Sequence, residues 1–179
     1  QEDLLEDETA VLNGVDNVIN WLFENNYRNV IIEINNECNL KYRHEILQPN
    51  RVHEVIERIK SKEKNGYRYL ASTSYSGGRI PSGNVVQAAD FILIHGNGVH
   101  NPARIAELVK ETKAVEGYTP KPILFNEDDH FDFDKPENNF VSALSRYAGW
   151  GYFDAGEGAG GAPYFSSNYR DSYQSVPVN

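Results

Sequence analysis

Two Asn-Glu dipeptides, each closing an apolar run, are the residues of this chain best placed to do chemistry. Asn36-Glu37 closes Asn29-Val30-Ile31-Ile32-Glu33-Ile34-Asn35-Asn36-Glu37, and Asn126-Glu127 closes Pro122-Ile123-Leu124-Phe125-Asn126-Glu127. If both runs are buried strands, the two carboxylates emerge at strand tips and can face each other across one pocket. Paired carboxylates suit cleavage of a glycosidic bond: one carboxylic acid protonates the leaving oxygen, and the other carboxylate attacks the sugar or activates water. The competing explanation is that Glu37 and Glu127 are ordinary polar residues where strands enter solvent. A third apolar run, Phe91 to His95, ends in His95-Gly96-Asn97. His95 and Asn97 are therefore candidates to orient Glu127 or to bind sugar hydroxyls.

Other groups invite chemistry less strongly. The acidic run from Glu127 to Asp134 offers oxygen ligands at alternate positions, as calcium requires, but lacks the glycine turn and terminal glutamate of an EF-hand loop. It is expected to be a solvated acidic loop, and no histidine pair at zinc spacing appears, so no metal is expected. The glycine-rich stretch Gly156 to Gly161 has no lysine after it and is expected to be a mobile loop over the pocket rather than a phosphate cradle. Trp150, Tyr152, Phe153, Tyr164 and Phe165 offer stacking faces for sugars, with Trp150 expected in the core. Ser74, Tyr75, Gly77 and Gly78 read as a flexible surface loop, and His100 as a loop or helix-cap residue. The single cysteine, Cys38, reads as a small buried residue rather than a nucleophile. No cofactor is implied.

The elements that must position these groups alternate. Val11, Leu12, Val15, Val18, Ile19 and Leu22 recur at helical spacing, predicting a helix from about Thr9 to Asn25. The near-continuous apolar strand Val30 to Ile34 then has the character of a parallel strand covered on both faces. Pro49 opens a helix striped by Val52, Val55, Ile56 and Ile59, with a charged end from Lys60 to Lys64. Strands are predicted at Tyr67–Ser72, Phe91–His95, Ile123–Phe125 and Trp150–Asp154. Short helical stretches fall near Val85–Ala89, after Pro102, and from Glu137 to Tyr147, the last striped by Phe140, Val141, Leu144 and Tyr147. This alternation of helix and strand argues for an α/β fold with a parallel sheet and right-handed crossovers. The candidate polar groups all follow strand ends, which is the active rim of a (β/α)8 barrel.

On those residues the chain resembles the retaining (β/α)8 glycoside hydrolases that carry the acid/base on strand 4 and the nucleophile on strand 7. Asn36-Glu37 matches the strand-4 position and Glu127 the strand-7 position. Three βα units of about 30 residues separate them, as the strand count requires. The resemblance implies that residues 1–179 are one partial domain, the second half of a TIM (β/α)8 barrel (strands 4–8), with the N-terminal half and final helix lying outside this sequence. It implies Glu37 as general acid/base, Glu127 as nucleophile, Asn36 on the sugar 2-hydroxyl, and His95, Asn97 and Asn126 as substrate-binding groups. It also implies a carbohydrate substrate and a secreted or periplasmic setting. The alternative is a non-catalytic carbohydrate-binding or structural barrel fragment that self-associates.

Composition narrows the partners. A formal net charge of -9, with no basic stripe, disfavours nucleic acid. No apolar stretch approaches the roughly 18 residues that span a bilayer. An open half-barrel leaves two sheet edges unpaired, so a homo-oligomer, or union with a missing half, is expected to complete an assembly of about eight to ten strands.

Overall fold

The computed structural model describes residues 5–130 and 132–153. Five helices and five short strands alternate along them: α1 (Glu8–Glu24), β1 (Ile31–Glu33), α2 (Val52–Lys60), β2 (Leu70–Ser72), α3 (Gly83–Ala88), β3 (Ile92–His95), α4 (Pro102–Lys113), β4 (Ile123–Glu127), α5 (Asn139–Leu144) and β5 (Gly149–Trp150). The fold is mixed α/β, with parallel strands in two small sheets, β1-β2 and β3-β4-β5. The strands follow chain order within each sheet. Backbone hydrogen bonds link the flanks of the two sheets: Asp90 N–H donates to the Ala71 carbonyl (3.0 Å), and Gly78 N–H donates to that of His95 (2.9 Å).

Local sequence explains where elements begin. Asp7 caps α1 by accepting from the Ala10 amide at 2.8 Å, satisfying one of the free donors of the first turn. Asn101 does the same for α4, accepting from Ala103 N–H, and Pro102 occupies the first turn, where its missing N–H costs nothing. A turn at Asn65-Gly66, both left-handed (φ 56° and 74°), brings Lys64 back against Tyr67 in an antiparallel bridge. That turn delays β2, so the regular strand starts at Leu70 rather than at Tyr67.

The core is continuous between helices and strands. Ile19 from α1, Ile56 and Ile59 from α2, Ile92 and Ile94 from β3, and Phe125 from β4 are all essentially inaccessible. A bidentate pair from Arg58 to Asp16, at 2.8 Å for each bond, ties α2 to α1 along their outer faces.

Several expectations need correction. The strand Val30–Ile34 is not covered on both faces: Ile31 is 55% exposed, and its register partner Leu70 is 43% exposed. A single turn of 3₁₀ helix, Glu45–Leu47, precedes α2, which begins at Val52 and ends at Lys60, the first residue of the expected charged end. Helix α5 is only six residues long, and its apolar stripe faces outward: Phe140, Val141 and Leu144 are exposed, while Asn139 and Ala143 are buried. Asn139 is turned inward because its amide donates to Asp128 and to the Val99 carbonyl. The last strand among the described residues is the pair Gly149–Trp150, with Gly151 to Phe153 outside it; Asp154 lies outside the described residues. The expected glycine-rich loop, Tyr164 and Phe165 lie outside the described residues.

Candidate functional site

Glu37, His95 and Glu127 meet at the C-terminal ends of β1, β3 and β4. His95 Nδ1 lies 3.0 Å from Glu37 Oε1 and 3.5 Å from Glu127 Oε2. One carboxylate oxygen from each glutamate and this ring nitrogen all fall within 4.8 Å of one another. His95 is fully buried, whereas the two glutamate side chains keep 18% and 21% of their surface. The imidazole is thus a fixed floor beneath two carboxylates that solvent can reach.

Backbone geometry delivers each group. Glu37 sits in the left-handed region (φ 53°), a conformation that costs a non-glycine residue free energy unless its surroundings enforce it. The enforcement comes from the loop after β2. The Glu37 amide donates to Ser74 Oγ, and the Cys38 amide to the Ser74 carbonyl, both at 2.9 Å. Asn39 and Ser76 add a reciprocal pair of bonds, each 2.7 Å. This overturns the expected flexible surface loop: Ser72, Thr73 and Ser74 are completely buried, and Tyr75 nearly so. Serine and threonine tolerate that burial because the chain after β1 supplies their partners. Thr73 Oγ1, for example, donates to the Asn35 carbonyl at 2.9 Å.

Glu127 reaches the site through a register irregularity. The β3–β4 ladder shifts between Ile94 and His95, so that His95 pairs with Glu127 rather than with Asn126. Asn97 then donates from Nδ2 to Glu127 Oε2 at 3.0 Å. Asn126 faces a third carboxyl, donating from Nδ2 to Glu33 Oε2 at 3.5 Å. Asn36 stays at the β1 rim: its Oδ1 lies 3.5 Å from the Ser74 hydroxyl, and its carbonyl accepts from Tyr42. The six sequence-predicted residues therefore gather along the ends of three strands, with Asn36 and Asn126 peripheral to the tight trio.

Two acids belong to this neighbourhood that sequence reasoning left out of the site. Glu33 lies in β1, and burial pushes its carboxyl above the ordinary glutamate range. Ser74 and His95 oppose that shift, and the Glu127 charge adds to it. The available signal was a lone acid inside an apolar strand. Asp128 is fully buried beside Gly96. It accepts from Trp150 Nε1 (2.8 Å), the His130 amide (3.0 Å) and Asn139 Nδ2 (3.1 Å). Burial raises its pKa, while those donors pull the other way. The acidic run is therefore anchored at its second residue rather than wholly solvated. Trp150 packs edge-on against Phe133 and Phe140 over this anchor.

Remaining candidates resolve simply. Cys38 is fully buried, and burial pushes its thiol up to about 11, which makes it a poor nucleophile at neutral pH. His100 does not cap α4; its Nδ1 lies 2.8 Å from His130 Nε2. Asp128, Asp129 and His130 form a second group of possible metal ligands, although both Asp128 oxygens already have donors. A cavity of about 470 Å³ between α4 and α5, and one of about 380 Å³ lined by Val15 and Ile32, lie away from Glu37 and Glu127. Glu37, His95 and Glu127 sit on the strand-end rim instead. Among the described residues no helix is long and apolar enough to cross a membrane. Comparison with family models, with curated proteins and with solved structures found no match to this chain.

Proposed function

We propose that this chain carries the catalytic rim of a retaining glycoside hydrolase, built as the second half (strands 4–8) of a (β/α)8 barrel. The observation that carries the proposal is the approach of the Glu37 and Glu127 carboxylates to within 4.8 Å, oxygen to oxygen, at the ends of strands from different βα units. Retaining enzymes hold their carboxyls about 5–5.5 Å apart, and inverting ones about 6.5–9.5 Å, to leave room for water.

In this mechanism Glu37 protonates the glycosidic oxygen as Glu127 attacks the anomeric carbon, forming a glycosyl ester and releasing the aglycone alcohol. Glu37 then takes a proton from water, the water oxygen attacks the same carbon, and Glu127 departs as carboxylate. His95 holds both carboxylates at their working separation, and Asn97 fixes the Glu127 oxygen it bonds. Asn36 and Asn126, at the periphery of the trio, are the groups assigned to sugar hydroxyls. The outer edges of β1 and β5 have no ladder partner among the described residues, which supports completion by a second copy or by the missing half-barrel.

The test is a panel of aryl glycosides and polysaccharides, with Glu37→Gln and Glu127→Gln beside the wild type. Each substitution should cut turnover by at least about 10²-fold, and proton NMR of the first product should show retained configuration. Turnover untouched by both changes, or an inverted product, would remove the pair from this mechanism. Light scattering across a range of concentrations should show self-association; a constant monomer mass would count against completion by a second copy.

A further inference from the structure

We propose that Glu37, His95 and Glu127 also form a site for a transition-metal dication of the zinc class, seated between the two carboxylates. Zinc takes imidazole nitrogen and carboxylate oxygen at about 2.0–2.2 Å, and two ligands on a tetrahedral ion of that size stand about 3.3–3.5 Å apart. From His95 Nδ1 the observed separations are 3.0 Å to Glu37 Oε1 and 3.5 Å to Glu127 Oε2. A small rotation of either carboxyl completes a three-ligand face with a fourth position open to solvent, the arrangement of open zinc sites. One nitrogen and few oxygens suit zinc, and not the six or more oxygens that calcium collects.

His95 is completely buried, and its Nε2 has no partner. The two carboxylates facing Nδ1 favour a proton on it while the site is empty; a dication between them takes that proton's place, the proton moves to Nε2, and the Nδ1 lone pair becomes a ligand. Charge points the same way. Among the described residues, His95 is the only basic side chain within 4.0 Å of Glu37 or Glu127, and no lysine or arginine pairs with them or with Glu33. Buried acceptors of the same neighbourhood, Glu33 Oε1, Asn97 Oδ1 and Asn126 Oδ1, also lack donors. The ligands are pre-set: Ser74 pins the Glu37 backbone and Asn97 holds Glu127. The consequence for activity, inhibition by zinc competing with the saccharide, rests on the hydrolase assignment; the binding itself does not.

Zinc chloride titrated into the intact chain, followed by calorimetry and by melting temperature, tests the site. One equivalent should bind the wild type and raise its melting temperature. His95→Gln and Glu127→Gln should each weaken uptake by about 10-fold or more, and His130→Asn should leave it unchanged. Since Glu127 is partly exposed, its substitution stays informative if the His95 variant fails to fold. Absence of uptake by the wild type, uptake indifferent to Glu127→Gln, or uptake lost only in His130→Asn would each overturn the proposal. Uptake is read without any saccharide, so a chain that binds zinc but hydrolyses nothing fails only the hydrolase assignment.

Discussion

Replacing Gly77 with alanine should damage the site by steric means alone. A Cβ at this position would press into the Asn97 carbonyl oxygen at well under 3.0 Å, with the carbonyl carbon at 3.1 Å and Asn97 Cβ at 3.4 Å. The obstacle is backbone, so no rotamer change relieves it. Restoring an ordinary carbon-to-oxygen approach of about 3.3 Å means opening the two loops by about 1 Å. Asn97 holds Glu127 Oε2 at 3.0 Å, and a displacement of that size carries the pair beyond hydrogen-bond range. Overpacking of this kind costs about 1–3 kcal/mol, and misplacing a reacting group by about 1 Å can cost about 10²-fold in rate. Urea denaturation and turnover on the best substrate of the panel would read the two effects. Gly14→Ala is the control: it adds the same methyl within α1, where nothing lies within 4 Å, and should stabilise by about 0.5–1 kcal/mol. The close-approach argument is refuted if Gly77→Ala stays within about 0.5 kcal/mol of the wild type with turnover intact.

Three further outcomes follow from the buried ionisable groups. Glu33 has a folded pKa raised above 4.5 by burial, so the native state binds its proton more readily than the unfolded chain does; wild-type stability should decline as pH rises from about that value through the folded pKa. Glu33→Gln should flatten that stretch of the urea-stability profile, and an unchanged slope would show that Glu33 does not titrate as its burial implies. At Asp90 burial favours the neutral acid, but the Arg68 hydrogen bonds, the Ala71 amide and Lys60 outweigh it and hold the carboxyl below its usual 3.8. Its stabilisation is therefore present above the unfolded pKa and lost as pH falls through the folded one; Asp90→Asn should cost about 1.5–3 kcal/mol near neutrality, and equal stability of the two chains there would contradict the assignment. Cys38 should resist a thiol reagent at pH 8 in the native state and react promptly in urea, with fast native labelling as the contrary result.

How far the sequence reached depended on which property was being read. Periodicity located the helices and strands within a few residues, because Ile19, Ile56 and Ile105 recur on faces that do become core. It also placed Glu37, His95 and Glu127 at strand ends, since each stands within three residues of the end of an apolar run. The same periodicity misjudged α5: Phe140, Val141 and Leu144 do share a face, but a shared face says nothing about whether another element covers it. Polarity misled in the opposite direction at Ser74. A hydroxyl reads as solvent-facing until a neighbouring segment supplies partners, and here those partners lie 37 and 38 residues earlier. Asp128 was hidden for the same reason, its donors coming from α5 and β5.

The proposed chemistry and the proposed metal site are two answers to one electrostatic problem. Glu37 and Glu127 converge on a single imidazole nitrogen, and one ring N–H cannot donate fully to both; its distances of 3.0 Å and 3.5 Å show the compromise. Below them lies Glu33, whose burial favours the uncharged acid. A rim so arranged has negative potential and, among the described residues, no paired lysine or arginine to quench it, so whatever enters gains most if it is positive or becomes positive. A neutral saccharide becomes positive only at the oxocarbenium-like transition state, so the field acts more strongly on that state than on the bound substrate, as catalysis requires. A dication satisfies the same field at rest. On this argument, adding a fixed cation at the rim should depress zinc uptake and turnover together, and Asn36→Lys is the substitution that places one without removing any of the three converging groups. Selective loss of zinc binding with turnover unchanged would mean that the field of the rim does not drive the reaction.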